Sequence, residues 1–380
     1  MSDEYTVTLS YTPNTQEMRV IVEPTKNTDL PLTNEDYEAP ADKVTSTVTQ
    51  IGQWYGEDKG TVTEEFFPRE GSGSIFGVDK DFATGKVSGM GYVIRLEDGS
   101  FIVVDGGYDT ETHVDNLYNV LVKQAGDKDI VIAAWVFTHA HNDHADAFKI
   151  FTTKYAEEVT IESFIYNFPA DAAANAGGVT APNLEQIYTA MDAYAGAKRI
   201  VARAGQTHTV RNAQLNILFT YDMMLPYKLV DYNICSVVFN VEIEGSTILF
   251  LGDAGGETIN NEGTLSYMMD IYTAETLGAD IVQAAHHGLD AYNYGNEAAP
   301  FETITSFYSL VGAEHAFFPV AAHYVKDGDN NFWIDERAAY SALSGATKYV
   351  AADDVVVLTL NGSGSVSAKT YEDVSSYVNS

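Results

Sequence analysis

The chain has 380 residues, 45% of them hydrophobic, enough for a sizeable core in one large domain or two ordinary ones. A formal net charge of -33 argues against nucleic acid and anionic membrane as partners, because both repel such a chain at long range. One cysteine, Cys235, excludes an internal disulfide and a four-cysteine zinc module, and no apolar run approaches the roughly 18 residues of a membrane span.

The opening MSDEYTVTLS lacks the basic and apolar regions of a signal peptide, as a mature or trimmed chain also would. A composition rich in Tyr, Asn and Thr and poor in Lys points to a secreted or cell-surface bacterial protein, with the cytoplasm as the alternative. The alternating runs YTVTLSY and MRVIVEP read as strands, and the acidic stretch TKNTDLPLTNEDYEAPADK as a loop or linker. GEDKGTVTEEFFPREGSGSIFG is also loop-like, with Gly71 and Gly73 as punctuation. Residues 1–60 are therefore expected to be a strand-and-linker extension, and residues 61–380 the main domain.

From Gly89 the pattern is regular. GYVIRL and SFIVVDGG, separated by EDG, predict a hairpin. ETHVDNLYNVLVKQA has apolar residues at helical spacing, and DIVIAAWVF reads as a buried strand. ADAFKIFTTKYAEE predicts a helix, TIESFIYNF a strand and NLEQIYTAMDAYAGA a helix. AQLNILFTY, CSVVFNVEIEG and STILFLGDA follow as strands, TLSYMMDIYTAETLGA as one helix, and DIVQAAHHG as a strand leading into a loop. AEHAFFPVA, a helix through DERAAYSALSG and the terminal strands TKYVAADDVVVLTLNG and GSVSAKTY complete a mixed α/β (α+β) pattern.

Ligand-type side chains gather at the ends of these strands. THAHNDH places His139, His141, Asp143 and His144 after an apolar strand, with His139 and His141 two apart and so on one side of an extended backbone. ILFLGDAGG ends a strand with Asp253, IVQAAHHG ends another with His286 and His287, and FIVVDGG ends a third with Asp105. Imidazole and carboxylate are the ligands of zinc and similar divalent ions, and a carboxylate such as Asp253 can bridge two of them. Asp105 is read as orienting the histidine loop through hydrogen bonds rather than binding metal. The plain alternatives are helix caps for the aspartates and core or exposed positions for the histidines.

These segments, in this order, resemble the metallo-β-lactamase superfamily of hydrolases: VVDGG, THAHNDH in the pattern His-x-His-x-Asp-His, LFLGDA and AHHG. The resemblance spans roughly residues 85 to 370 and implies a four-layer αββα sandwich with metals at one edge. It implies a first metal site served by His139 and His141, a second served by Asp143, His144 and His287, and Asp253 between them. YNICSVVFNVEIEGSTILFLGDAGG, with Asn233 and Ser236, is similar to the branch containing the hydrolase domain of competence-type DNA-uptake proteins. The chain departs from the superfamily pattern by lacking a histidine shortly before Asp253. His208, in GQTHTVRN, comes too early and is read as a surface turn residue. Asp222, Asp231, Asn233 or water are the replacements considered. His141 stands where a redox branch of the superfamily has glutamate, and Asp253 where many antibiotic-hydrolysing members have cysteine. Cys235 reads instead as a buried mid-strand residue.

The function implied is hydrolysis of a small-molecule substrate by hydroxide formed on one or two divalent ions, zinc first and manganese or iron next, since such an ion brings the pKa of water toward about 7. A phosphodiester or other small ester is the expected substrate. A lactone, or a non-catalytic binding role with a degenerate site, is the alternative. Asp143 and Asp253 are the expected catalytic carboxylates. His323, Tyr324 and Asn233 are the candidate substrate contacts, with Asn330 beside them, and His113 reads as a helix surface residue.

Overall fold

The computed structural model describes residues 5–12, 17–24, 27–28, 30–53, 89–169, 184–224, 232–255, 263–288, 299–320, 323–325, 331–334, 337–351, 354–362 and 364–380. A run such as FIVV, apolar at every position, needs cover on both faces. Strand Phe101–Asp105 has it, with Ile102 and Val104 in a core between two sheets and Phe101 and Val103 in a core beneath helices. Strand Ser246–Phe250 divides in the same way, Ile248 and Phe250 inward and Leu249 outward. This period-two partition is what two stacked sheets with helices outside require, and it gives the αββα sandwich.

The first sheet runs in spatial order Val366–Tyr371, Val355–Leu360, Thr47–Ile51, Gly91–Arg95, Phe101–Asp105, Ile130–Val136, Ser163–Tyr166, Lys198–Val201 and Asn27–Thr28. Pairing is antiparallel as far as Phe101–Asp105 and parallel from there on. The second sheet runs Thr207–Val210, Ala213–Phe219, Val238–Ile243, Ser246–Phe250, Ile281–Gln283, His315–Phe318 and Thr347–Val350. It too is antiparallel at first and turns parallel after Ser246–Phe250. Each sheet thus changes sense beside a strand that delivers an aspartate to its C-terminal end, the position where α/β sheets open a crevice.

Tyr92 closes the inner core, edge-on to Phe250 at 5.3 Å and tilted on Phe317 at 5.5 Å. Trp135 pins helix Asn142–Lys154 to the first sheet through Phe148 and Phe151 at 4.9 and 5.1 Å. Helix Glu111–Ala125 starts where the Thr110 hydroxyl accepts the His113 N–H and stops at Gly126, whose φ of +64° is left-handed.

The hairpin predicted from GYVIRL and SFIVVDGG is present, in register from Gly91–Asp105 to Arg95–Phe101. Residues 47–51, inside the segment expected as an extension, form an inner strand of the first sheet, between Val355–Leu360 and Gly91–Arg95. Among the described residues, strands Tyr5–Thr12 and Glu17–Pro24 pair only with each other. TLSYMMDIYTAETLGA is two helices, Thr264–Ile271 and Ala274–Leu277, because Tyr272 turns extended and donates its hydroxyl to the Leu218 carbonyl at 2.6 Å. A helix not expected from the sequence covers Ala299–Val311 and buries Ile304, Phe307, Tyr308 and Val311. Among the described residues no helix is long and apolar enough to cross a membrane.

Three residue readings are corrected. Cys235 is buried but lies in the 3-10 turn Tyr232–Cys235, ahead of the strand rather than within it. His113 is fully buried in its helix, where Nδ1 accepts the Tyr108 N–H at 3.0 Å. His208 is not a surface turn residue. It is buried in strand Thr207–Val210, and its Nδ1 accepts the Leu32 N–H at 3.1 Å, tying residues 30–34 to the second sheet.

Burial pushes the His208 imidazole down from 6.5 to about 4. The neutral ring is therefore favoured by folding, and its stabilisation is complete above pH 6.5 and lost as pH falls toward 4. His208→Gln keeps an acceptor without the titration. Urea unfolding at a series of pH values should show the wild type losing about 1–3 kcal/mol relative to this variant across that window. Parallel curves for the two proteins would contradict the assignment.

Candidate metal centre

Four neighbouring strand ends build the site. Asp105 ends Phe101–Asp105, and Thr138 to His141 follow Ile130–Val136. Asp143 and His144 occupy the first turn of Asn142–Lys154. Asp253 follows Ser246–Phe250, and His286 and His287 lie in the turn Ala285–Gly288 after Ile281–Gln283. The backbone is constrained here. Asp105, His286 and His287 have φ of +56°, +49° and +58°, and left-handed backbone in non-glycine residues is uncommon outside functional or tight-turn positions. Gly252 also has a φ of +56°, and a Cβ on it would lie 2.8 Å from the Thr138 Cβ and 2.9 Å from the Ser236 Oγ. Only glycine lets the Asp253 turn approach this closely.

The side chains converge on Asp253. Its Oδ1 lies 3.1 Å from His144 Nε2 and 3.8 Å from His287 Nε2, and its Oδ2 lies 3.8 Å from His139 Nε2. His287 Nε2 also faces Asp143 Oδ2 at 3.3 Å, and His139 Nε2 is 3.0 Å from His141 Nδ1. Two groups have ligand atoms close enough to hold an ion: Asp143, His144, Asp253 and His287, and separately His139, His141 and Asp253. Asp253 is common to both. His286 is partly exposed, with Nε2 3.8 Å from Asp253 Oδ2, and belongs to neither group.

Hydrogen bonds at the far ring nitrogens decide which way the histidines face. The Asp105 carboxylate, fully buried, accepts the Thr138 N–H at 2.8 Å, the Thr138 hydroxyl at 2.7 Å and the His144 Nδ1–H at 2.8 Å. The Thr138 hydroxyl hydrogen is thereby committed, so Thr138 Oγ1 accepts from His139 Nδ1, 3.1 Å away. His287 Nδ1 lies 3.1 Å from the Pro319 carbonyl, which can only accept. All three rings therefore carry hydrogen on Nδ1 and direct Nε2 at the carboxylates. His144 Nε2, His287 Nε2, His141 Nε2 and Asp253 Oδ1 are buried and make no hydrogen bond among the described residues. Buried polar atoms are rarely left so. Lone pairs facing carboxylates repel one another unless a cation stands between them, and imidazole nitrogen with carboxylate oxygen is the donor set that zinc, manganese or iron accepts. The residues present fit a divalent ion.

The electrostatics agree. Burial pushes the His144 imidazole down, but Asp253, Asp143 and Asp105 outweigh it and hold the ring well above the ordinary histidine range. His287 is raised likewise, against burial, by Asp253 and Asp143. Burial, then the neighbouring His144 and His141, holds His139 well below it. Asp143 and Asp253 stay below the usual carboxylate range, because His144 and His287 outweigh the opposing effect of burial. Protons on His144 and His287 take the place that a metal's charge would fill.

Of the replacements considered for the missing histidine, Asp222 is drawn away, accepting from Asn167 Nδ2 and Arg203 at 2.6 Å each. Asn233 is buried in the turn Tyr232–Cys235, and Asp231 and Asn330 lie outside the described residues. His323 and Tyr324 belong to strand His323–Val325, paired with Asn331–Trp333, and their side chains lie outside the described residues. Gln283 was not singled out by sequence. It is fully buried, and its Oε1 accepts the Leu251 and Gly252 N–H groups at 2.9 and 2.7 Å while Nε2 donates to the Gly252 carbonyl at 3.0 Å. A glutamine inside the apolar run IVQAA, just before ligand-type residues, was the available signal.

A two-sheet sandwich with this edge of histidines and aspartates defines the class of metal-dependent hydrolases. The sequence profile of the metallo-beta-lactamase superfamily matches residues 84–291, more than half of the chain, and the chain belongs to that superfamily. Similar solved structures include the metallo-beta-lactamase fold protein YhfI from Bacillus subtilis, with 12% identity over 86% of this chain and 100% of that one and a TM-score of 0.45. Zn(2+)-bound PqqB from Methylobacterium extorquens shows 11% identity over 80% of this chain and 98% of that one, with a TM-score of 0.44. A diphosphatase from the PhnP family shows 14% identity over 72% and 85%, with a TM-score of 0.35. No curated protein sequence matches this chain.

Asp105→Asn tests the hydrogen-bond argument. An amide NH2 would face Thr138 or His144, both donors, and release one of them. Zinc affinity, measured by competition with a chromophoric chelator, should fall about 10–100-fold. The metal-free protein should lose about 1–3 kcal/mol in urea unfolding. Unchanged affinity would overturn the tautomer assignment.

Proposed function

We propose that this protein hydrolyses a small phosphodiester with the help of one or two divalent ions, zinc before manganese or iron. The observation that carries the reading is the convergence of buried, unbonded histidine Nε2 atoms on the Asp143 and Asp253 carboxylates at the open ends of the parallel strands. His139 and His141 would hold one ion, Asp143, His144 and His287 the other, and Asp253 would face both. An ion held there lowers the pKa of a water and polarises the bond under attack. Asp143, which faces His287 Nε2 at 3.3 Å, would orient that water. Asp253, 2% exposed, is shielded from solvent and keeps its charge for the cations. The phosphodiester is supported by the sequence likeness to the competence-type branch and by the cationic field a loaded site presents to an anionic group. A net charge of -33 favours a small diester over a long polyanion.

The test is metal content followed by turnover. Protein purified without chelator should carry one to two equivalents of metal by elemental mass spectrometry, roughly as the two ligand groups suggest. It should also cleave bis(p-nitrophenyl) phosphate faster than lactone or carboxylic ester probes. His141→Ala and Asp253→Ala should each abolish turnover, a loss of at least about 100-fold, with circular dichroism unchanged. Metal-loaded protein that turns over lactones and leaves the diester intact would redirect the substrate. Protein that takes up no metal would end the hydrolase reading of this site.

Proton competition gives an independent check. His144 and His287 hold protons above the ordinary histidine range in the metal-free protein. A cation must displace them, so binding should release protons and zinc affinity should rise with pH through and beyond about 6.5. Calorimetry in buffers of different ionisation enthalpy reads this directly, and a pH-independent affinity would contradict it.

A further inference from the structure

The group formed by His139, His141 and Asp253 has one ligand-type residue fewer than its neighbour, and no further histidine, cysteine or acid joins it among the described residues. Thr138 holds the His139 ring and Gln283 the Asp253 turn, and one side chain touches both ring and turn. Ser236 is fully buried immediately after the turn Tyr232–Cys235, the stretch in which the missing histidine would fall. Its Oγ accepts the Asp253 backbone N–H at 3.0 Å and lies 3.4 Å from His139 Nδ1. Since the hydrogen on His139 Nδ1 points to Thr138 Oγ1 at 3.1 Å, Ser236 Oγ is the longer arm of the same shared hydrogen bond. The backbone on either side is fixed as well. The Ser236 N–H donates to the Asn233 carbonyl at 2.9 Å, and the Val237 N–H donates to the Thr138 carbonyl at 2.7 Å. The hydroxyl therefore sits against Gly252, where any Cβ would reach within 2.9 Å of it.

We infer that Ser236 is the positioning residue of this group, joining His139 to the Asp253 turn so that two histidines and a carboxylate keep a metal-binding geometry without a third histidine. One hydroxyl contacts a ring and a turn that follow strands of different sheets, so removing it takes away a side-chain link between them. The inference rests on the metal reading given above, because Ser236 acts only through His139 and Asp253.

Ser236→Ala, with Ser236→Thr and Ser236→Val as a matched pair of equal shape, separates the hydroxyl from the packing. Cobalt(II) is the probe for geometry and zinc competition the probe for affinity. In Ser236→Ala the affinity of the weaker-binding ion should fall about 10–100-fold and the cobalt visible bands should shift, while circular dichroism stays close to wild type and the metal-free protein melts only modestly lower, because the buried Asp253 N–H loses its acceptor. Threonine should restore both readouts toward wild type and valine should not. Equal zinc affinity and equal cobalt spectra for wild type and Ser236→Ala, or for the threonine and valine variants, would overturn the proposal. If the variants do not fold, hydrogen exchange in the wild type decides. The Asp253 amide should be protected, and more so with metal bound; exchange at the rate of a free amide would overturn it. Failure of the underlying reading looks different, since the wild type itself would then bind neither cobalt nor zinc.

Discussion

One buried carboxylate sets the orientation of the histidine loop on the first sheet. Asp105 has only acceptors to offer when ionised, and three donors are spent on it: the Thr138 amide, the Thr138 hydroxyl and the His144 ring. Its own carbonyl takes the Trp135 indole N–H at 3.1 Å, so both ends of the residue are used. The left-handed backbone that makes this reach costs on the order of 1–3 kcal/mol and persists because the surrounding bonds leave it no other conformation. From that anchor the direction of His144 and, through Thr138, of His139 follows. The second sheet supplies the counterpart, with Gln283 stitching the Asp253 turn to the strand that leads into His287.

The result is a site whose charge is unbalanced by design of its neighbours. Asp105, Asp143 and Asp253 are buried within a few ångströms of rings that neutralise them only by keeping protons. Around it the whole chain carries a net charge of -33, which enriches cations near its surface and repels polyanions.

The sandwich was legible through the resemblance of VVDGG, THAHNDH, LFLGDA and AHHG to the metallo-β-lactamase superfamily; the apolar runs FIVV and ILFL by themselves pointed only to buried strands with ligand-type residues directly after them. The helix Glu111–Ala125 coincides with its periodic segment. Ala299–Val311 carries the same signal in the spacing of its buried Ile304, Phe307, Tyr308 and Val311. What sequence could not give was the environment of single polar residues. His208 and His113 look like turn and surface histidines because their partners are the Leu32 and Tyr108 backbone N–H groups, and a backbone donor leaves no mark in the side-chain pattern. The same holds for His287, whose ring is turned by the Pro319 carbonyl. At the candidate site, the segments that meet were readable from order and spacing. Of the hydrogen-bond partners that aim them, Asp105 was readable as such from its place at a strand end, while the roles of Thr138, Ser236 and Gln283 were not, because they act by contact across strands.

The first sheet places Thr47–Ile51 directly against Val355–Leu360, two strands separated by most of the chain. During synthesis the earlier strand leaves the ribosome long before its neighbour exists, and one of its edges must wait with its N–H and C=O groups unpaired. The second sheet has no such delay over Thr207–Val210 to Ser246–Phe250, where each strand follows its partner in sequence. The half of the molecule that carries Asp253 can therefore assemble while the half that carries Asp105 and the histidine loop is still open on one side. Closing of the first sheet therefore has to wait for residues 355–360, a non-local pairing of the kind that folds slowly.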